Sequence, residues 1–214
     1  MESMARGGTR WKRFALVMVP SVAATAAIGI GLAQGALAAS FSISGQEFKV
    51  TADSLVGQDF VQYGSIASGK NLDGESFVEP VAVSGFSSAT ITNMCQSVVT
   101  PKVPFIGNVS LELTAGQEPG NPVTAKGLYL DVSYLEADAE FSNIDIGVAA
   151  GSVGKPHIQP GTEAQVNPHG FAQRAEVATL TNVKQKAWAT TAGTFKLSGL
   201  KLKLHKGKKE CFPG

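Results

Sequence analysis

One serine and three histidines are the residues of this sequence that could form a hydrolytic site. Ser87 lies in the stretch GFSSA, at the position that the nucleophile takes in the G-x-S-x-G turn of serine esterases, which also need a histidine and an acid. The stretch departs from that motif at its last residue, and no helical pattern follows it. The sequence therefore favours an ordinary turn serine and leaves four weak catalytic candidates: Ser87, His157, His169 and His205.

Metal chemistry has less support than hydrolysis. His157, Glu163 and His169 share one Gly- and Pro-rich segment, but their spacing matches no compact set of metal ligands. The chain also has no phosphate-binding glycine loop and no Cys-x-x-Cys pair. We therefore predict neither a metal site nor a cofactor.

The C-terminal segment FKLSGLKLKLHKGKKE concentrates positive charge. Apolar and polar residues alternate along it, but the alternation shifts by one position at Ser198-Gly199 and, in the similar stretch FSISGQEFKV, at Ser44-Gly45. A β-bulge at each Ser-Gly pair would keep the apolar residues on one face of a bent strand. In the C-terminal copy the predicted inward residues are Phe195, Leu197, Leu200, Leu202 and Leu204.

The outward face of that strand would carry a basic stripe. Its predicted members are Lys196, Lys201, Lys203, His205, Lys206, Lys208 and Lys209. One interpretation is a solvated face whose lysines discourage aggregation between strand edges. The other is an electrostatic contact with anionic lipid head groups or envelope polymers. Nucleic acid is not expected, because no aromatic residues are interleaved with the lysines.

Strands must position all of these residues. Period-2 alternation dominates the chain, only 16% of its residues are charged, and its 24 glycines favour a turn-rich protein. About ten strands are expected, including VSLELT from Val109 and LYLDVSY from Leu128, separated by Gly- and Pro-rich turns. The predicted fold is all-β, a single antiparallel sandwich or barrel.

The first 38 residues are typical of an export signal. Four basic residues precede the apolar run Phe14–Ala33, and Ala36–Ala38 supplies a small-x-small cleavage pattern. An uncleaved anchor is the alternative, since the run is nearly long enough to span a bilayer. Residues 39–214 then form a single β domain, extracellular or associated with the outer face of the membrane. Its 14 basic and 16 acidic residues give a charge of −2, which does not point to nucleic acid.

The two cysteines, Cys95 and Cys211, both lie in the predicted exported part. An oxidising environment would let them form a disulfide, and two unpaired thiols are the alternative. The bridge would hold the C-terminal tail KGKKECFPG against the domain.

Three stretches carry a resemblance to a known family: residues 9–45, TITNMC at residues 90–95, and LSGLKLKLHKGKKECFPG at residues 197–214. The sequence resembles, over essentially its whole length, a family of uncharacterised exported actinobacterial proteins whose members are often named cholesterol esterase. The resemblance implies a neighbouring gene for a small multi-pass membrane protein, and hence such a protein as a partner. No catalytic residue of an esterase maps onto this sequence through the resemblance.

Two hypotheses of function follow. The first is an exported, non-catalytic β-protein of the cell envelope that binds lipid, an envelope polymer or a membrane-protein partner. The second is a secreted ester hydrolase acting on sterol or lipid esters, with Ser87 and one histidine as its candidate residues.

Overall fold

A computed structural model describes residues 43–213, which form an all-β fold. Two short 3-10 turns, Ala150–Ser152 and Glu163–Gln165, are the other regular elements of this part of the chain. The strands are β1 (Ile43–Ser44), β2 (Phe48–Lys70), β3 (Ser76–Thr92), β4 (Met94–Val103), β5 (Gly107–Ala115), β6 (Val123–Ser142), β7 (Asp145–Ala149), β8 (Phe171–Lys196) and β9 (Lys201–Lys206). The predicted all-β class is confirmed. The predicted export signal, residues 1–38, lies outside the described residues.

The strands form one sheet that closes on itself. Its order is β7-β8-β6-β3-β2-β4-β5-β9, and an additional pairing between β8 and β2 completes a ring of β2, β3, β6 and β8. All pairings are antiparallel except the short contact of β1 with the end of β2. Of the two predicted architectures, the ring corresponds to the closed, barrel-like one.

Side chains that point into the ring form the main core. The Phe60 ring lies 5.4 Å from that of Phe86 and 5.2 Å from that of Phe141, centroid to centroid. Phe86 is fully buried, and its ring lies where a side chain on Gly57 would have to be. A glycine at position 57 is therefore a packing requirement, because any Cβ there would collide with the Phe86 ring.

The outer face of the ring is also partly buried, because the segment 150–170 packs against it. Residues of this segment join a second apolar cluster with outward-facing side chains of the ring. The Tyr63 hydroxyl accepts a hydrogen bond from the backbone N–H of Gln159 at 2.8 Å, and the Tyr129 hydroxyl donates to the carbonyl of His157 at 3.0 Å. The long strands of the ring are thus covered on both faces where this segment lies.

The structure has turns, rather than bulges, where the alternation shifts. β8 ends at Lys196 and β9 begins at Lys201, so that Ser198–Gly199 is the turn between two strands, with Gly199 at a φ of +64°. Ser44–Gly45 lies where β1 ends and the chain continues to β2. The predicted bulges at Ser44, Gly45, Ser198 and Gly199 are therefore wrong, because the residues on either side of each pair belong to different strands.

Three leucines that follow the Ser198–Gly199 turn do not reach the core. Leu200, Leu202 and Leu204 are 49%, 57% and 70% exposed, whereas Phe195 and Leu197 pack against the main core. The prediction that all five apolar residues share one buried face is wrong for the three leucines, because β9 pairs at the far edge of the sheet.

Candidate functional site

Three strands project from the ring as a side sheet, which we call the extension: β4, β5 and β9. β4 pairs with Lys49–Thr51 at the start of β2, β5 pairs with β4, and β9 pairs with β5 through residues 109–114. β9 is the edge strand of the sheet. The extension positions most of the predicted basic stripe.

The C-terminal tail covers one face of the extension. The predicted disulfide is confirmed, with Cys95 of β4 bonded to Cys211 of the tail. Two serines of the sheet fix the tail backbone: Ser97 Oγ accepts a hydrogen bond from the N–H of Cys211 at 2.9 Å, and Ser110 Oγ donates to the carbonyl of Gly207 at 2.8 Å. This face is therefore occupied by the chain itself.

Part of the predicted stripe is neutralised on the tail side. Glu112 Oε2 lies 2.7 Å from His205 Nε2 and 2.8 Å from Lys209 Nζ. Hydrogen bonds from Lys209 and His205 lower the pKa of the Glu112 carboxyl, so that it stays ionised as their partner. His205 and Lys209 are therefore bound to Glu112 within the extension, and the charge of Lys209 is not free for a partner.

The opposite face of the extension is apolar and is exposed at its β9 edge, whereas Leu113 of β5 packs against the main core. Leu111 and Leu113 of β5 are paired with Leu204 and Leu202 of β9, and side chains of directly paired residues lie on the same face of a sheet. The two β9 leucines are more than half exposed. Lys206 follows them at the next alternate position, so that a positive charge borders this apolar face.

The turn between β4 and β5 forms an apolar tip, which comprises Lys102–Gly107. Phe105 is completely exposed and has a φ of +66°, and Ile106 beside it is 48% exposed. The backbone N–H of Gly207 donates to the carbonyl of Asn108 at 2.8 Å, which holds the segment after β9 beside the base of the tip. The exposed Lys206 and Lys208 flank this contact in the chain.

The predicted lysines thus have different surroundings. Lys201 and Lys203 lie on the tail face of β9, Lys206 and Lys208 lie near the tip, and Lys196 pairs with Thr124 at the end of β8. None of these five forms an ion pair with another described residue. The stripe is therefore not one surface, and its members near the tip are the ones that adjoin exposed apolar side chains.

The candidate catalytic residues are not brought together by a hydrogen bond. Ser87 is a half-buried residue within β3 rather than at a turn, and no hydrogen bond among residues 43–213 joins it to a histidine. His157 and His169 lie in the exposed parts of the segment 150–170, while His205 is bound to Glu112. The strand position of Ser87 differs from the strand-to-helix turn that a serine esterase uses.

Residues 43–213 lack two features that would indicate particular functions. No three or more His, Cys, Asp or Glu side chains are grouped so that they would hold a metal ion. No helix in the same range has the length and apolar character needed to cross a membrane.

The strand alternation in the sequence does not indicate the tip. Phe105 and Ile106 lie between Pro104 and Gly107 in the stretch KVPFIG. A Pro and a Gly on either side of two residues indicate a turn, and large apolar residues in a turn have no strand face to bury them. That pattern is the signal that would have identified the tip.

These features define a class of protein: a closed β-ring with an amphipathic side sheet that ends in an apolar tip. The chain belongs to a family of unknown function (DUF6230), whose family model matches residues 44–212. No curated protein and no solved structure matches it significantly.

Proposed function

We propose that this protein is exported and binds an anionic lipid surface, without catalysis, through the tip and the apolar face of the extension. The observation that carries the proposal is Phe105, a fully exposed aromatic side chain at a positive φ. Exposing this ring and holding a non-glycine residue in the left-handed region both cost free energy, and such costs are typical of functional sites.

The tip would contact the lipid by inserting its two apolar side chains. Full burial of a Phe or Ile side chain contributes about 1.5–3 kcal/mol, so that Phe105 and Ile106 together would supply a substantial part of the binding free energy. Aromatic rings are favoured at the boundary between head groups and acyl chains. Leu202 and Leu204 add exposed apolar surface on β9, on the other side of Lys206 from the tip.

Lysines near the tip would bind the phosphate groups of the lipid. Lys102, Lys206 and Lys208 are exposed and form no ion pair with another described residue. Each lysine close to an anionic membrane contributes about 1 kcal/mol. Charge and apolar surface at one end of the extension therefore favour anionic lipid over a polar envelope polymer, which would leave the leucines in water.

Vesicle flotation tests the proposal directly. We expect residues 39–214 to bind vesicles of phosphatidylcholine that contain phosphatidylglycerol and to bind pure phosphatidylcholine vesicles weakly. The double variant Phe105→Ser/Ile106→Ser should bind the anionic vesicles at least about tenfold more weakly, because it loses the inserted side chains. Replacing Lys102, Lys206 and Lys208 by Gln should weaken binding by about a hundredfold.

A matched control is available on the paired strands β7 and β8. Ile146 and Phe171 are 67% and 66% exposed, and the variant Ile146→Ser/Phe171→Ser removes a comparable apolar area away from the extension. It should bind like the wild type. Equal loss in both double variants, or no binding of the wild type to either vesicle, would count against lipid binding at the tip and in favour of a polymer or protein partner.

A further inference from the structure

The β-ring encloses a cavity of about 150 Å³ beside its main core. All four strands of the ring contribute to its wall, and the rings of Phe60, Phe86 and Phe141 line it. A smaller space of about 30 Å³ shares Leu130 and Gln185 with it. A cavity of about 150 Å³ has room for one molecule of the size of benzene.

Among residues 43–213, no charged side chain lines the cavity. Moving a charged ligand from water into such surroundings would cost several kcal/mol without a compensating ion pair. The wall is mostly apolar and aromatic, as is usual in sites for small molecules. The composition of the wall therefore favours a neutral and largely apolar occupant.

One polar side chain in the wall, that of Gln185, has no hydrogen-bond partner in the part of the chain that the structure describes. Gln62 donates to Ser84 Oγ at 2.9 Å and accepts a hydrogen bond from Gln173 at 2.6 Å, so that this group is satisfied within the protein. Gln185 is only 5% exposed, lines both spaces, and forms no side-chain hydrogen bond with another described residue. Its amide atoms are not fully enclosed by protein, so that they face space in which water or a ligand with one hydroxyl or carbonyl group would satisfy them.

An entry route lies along β6. β3 pairs with β6 only as far as Val132, and residues beyond Val132 pair with β8 alone. Leu135, which is 40% exposed, and the exposed Ala139 line the cavity on this part of β6. The wall therefore reaches the surface where the ring is not closed by strand pairing, and the alanine at position 139 leaves this region open.

We propose that the cavity binds a small neutral molecule with an apolar body of about the size of benzene and one hydroxyl or carbonyl group, which Gln185 hydrogen-bonds. This site is independent of the lipid surface proposed above, because its residues lie in the ring and not in the extension. The proposal of a ligand site in the cavity does not depend on whether the tip binds a membrane.

Three probes of similar size separate the contributions to binding. Phenol has an apolar ring and a hydroxyl, toluene lacks the hydrogen-bonding group, and benzoate is charged at neutral pH. By isothermal titration calorimetry and ligand-observed NMR we expect saturable binding of phenol, binding of toluene that is about fivefold weaker, and no binding of benzoate. Equal binding of benzoate and phenol would overturn the proposal. So would the absence of saturable phenol binding, which would mean that the cavity holds only water.

Substitutions in the wall of the cavity test whether the probes bind there. Gln185→Leu keeps the size of the side chain but removes its polar atoms, so that it should abolish the preference for phenol over toluene while toluene still binds. Ala137→Leu should fill the cavity and remove binding of both probes, and Ala139→Leu at the more exposed part of the wall does the same with less risk to folding. Ala164→Leu, at an exposed position in the segment 150–170, is the matched control. Phenol binding that survives both cavity-filling variants in folded protein would overturn the assignment.

Discussion

At the scale of single residues, Asp131 stands out as a carboxyl group in an apolar environment. It lies on β6, alternates with the inward-facing Leu130 and Val132, and is 8% exposed. Burial raises its pKa to about 6, because the charged form loses its hydration. The native state therefore retains a proton on Asp131 at pH values where an unfolded chain would have released it.

The ionisation of Asp131 should be visible in the pH dependence of the free energy of unfolding. An aspartate in an unfolded chain has a pKa of about 3.9. Because the native pKa is higher, the native state binds more protons between the two values, and the free energy of unfolding falls as pH rises from about 4 to about 6. Above pH 6 the cost of ionising buried Asp131 is fully present, at about 3 kcal/mol for a shift of about two units.

Asp131→Asn should therefore raise the free energy of unfolding at about pH 7 and flatten its decline between about pH 4 and 6. Urea unfolding followed by circular dichroism at a series of pH values measures both effects. Glu140→Gln, at an exposed position on the same strand, is the control. Parallel pH profiles for Asp131→Asn and wild type would show that Asp131 is not the group responsible.

At the scale of elements, β9 shows how an apolar alternation can be real without marking a buried face. Its pattern KLKLHK is that of an amphipathic strand, and residues 201–206 do form a strand. This strand is separate from β8, whereas the predicted bulge would join the two in one bent strand. The pattern does not specify which neighbour, if any, covers the leucines, because that depends on where the strand joins the sheet. Here it joins an edge, and its lysines also discourage pairing with another chain.

Alternation in the sequence could predict the strands, but it could not predict which elements cover them. Alternation in LYLDVSY correctly indicated β6, yet Tyr129 on its outer face is buried as well, because the distant segment 150–170 covers it. The pairing of β2 with β8, which closes the ring, joins residues more than a hundred positions apart and leaves no local pattern. The cavity depends on such pairings, so that local patterns alone do not indicate it. The tip, by contrast, is a turn between neighbouring strands, which the flanking Pro104 and Gly107 could have indicated.

The turn between β8 and β9 offers a test at this scale. Gly199 has a φ of +64° and open space around its Cα, so that Gly199→Ala meets no clash but is strained by its backbone conformation. It should lower the free energy of unfolding by about 1 kcal/mol. Gly64→Ala is the matched control, since Gly64 has equally open space and no positive φ, and it should be neutral or stabilising. Chemical denaturation measures the free energy of unfolding of both variants. Equal changes in the two variants would contradict the prediction that the positive φ of Gly199 causes the destabilisation.

At the scale of the whole molecule, the disulfide connects the extension to the end of the chain. Cys95 and Cys211 are 116 positions apart. The tail also places Phe212 over Lys49, whose Nζ lies 5.0 Å from the ring centroid and 3.1 Å from Glu210 Oε1. The bridge therefore limits the unfolded chain and keeps the tail face of the extension covered.

Removal of this bridge should destabilise the protein strongly. In the chain-entropy model, a closed loop of this length contributes about 4–5 kcal/mol, so that Cys95→Ser/Cys211→Ser should lower the free energy of unfolding by up to that amount. Urea unfolding of the double variant and of reduced wild type measures it, and both should agree. An unchanged midpoint in the double variant would show that tail contacts alone hold the extension.

The two edges of β2 also set an order of events during folding. One edge pairs with β3, which follows within a few residues, but the other edge pairs with β8 through Ala172–Ala187. A chain made from its N-terminus therefore has β2, β3 and β6 available while one edge of β2 is still unpaired. Contacts so distant in sequence form slowly. Until β8 has been synthesised, the nascent chain exposes a free strand edge that must be kept from pairing with other chains.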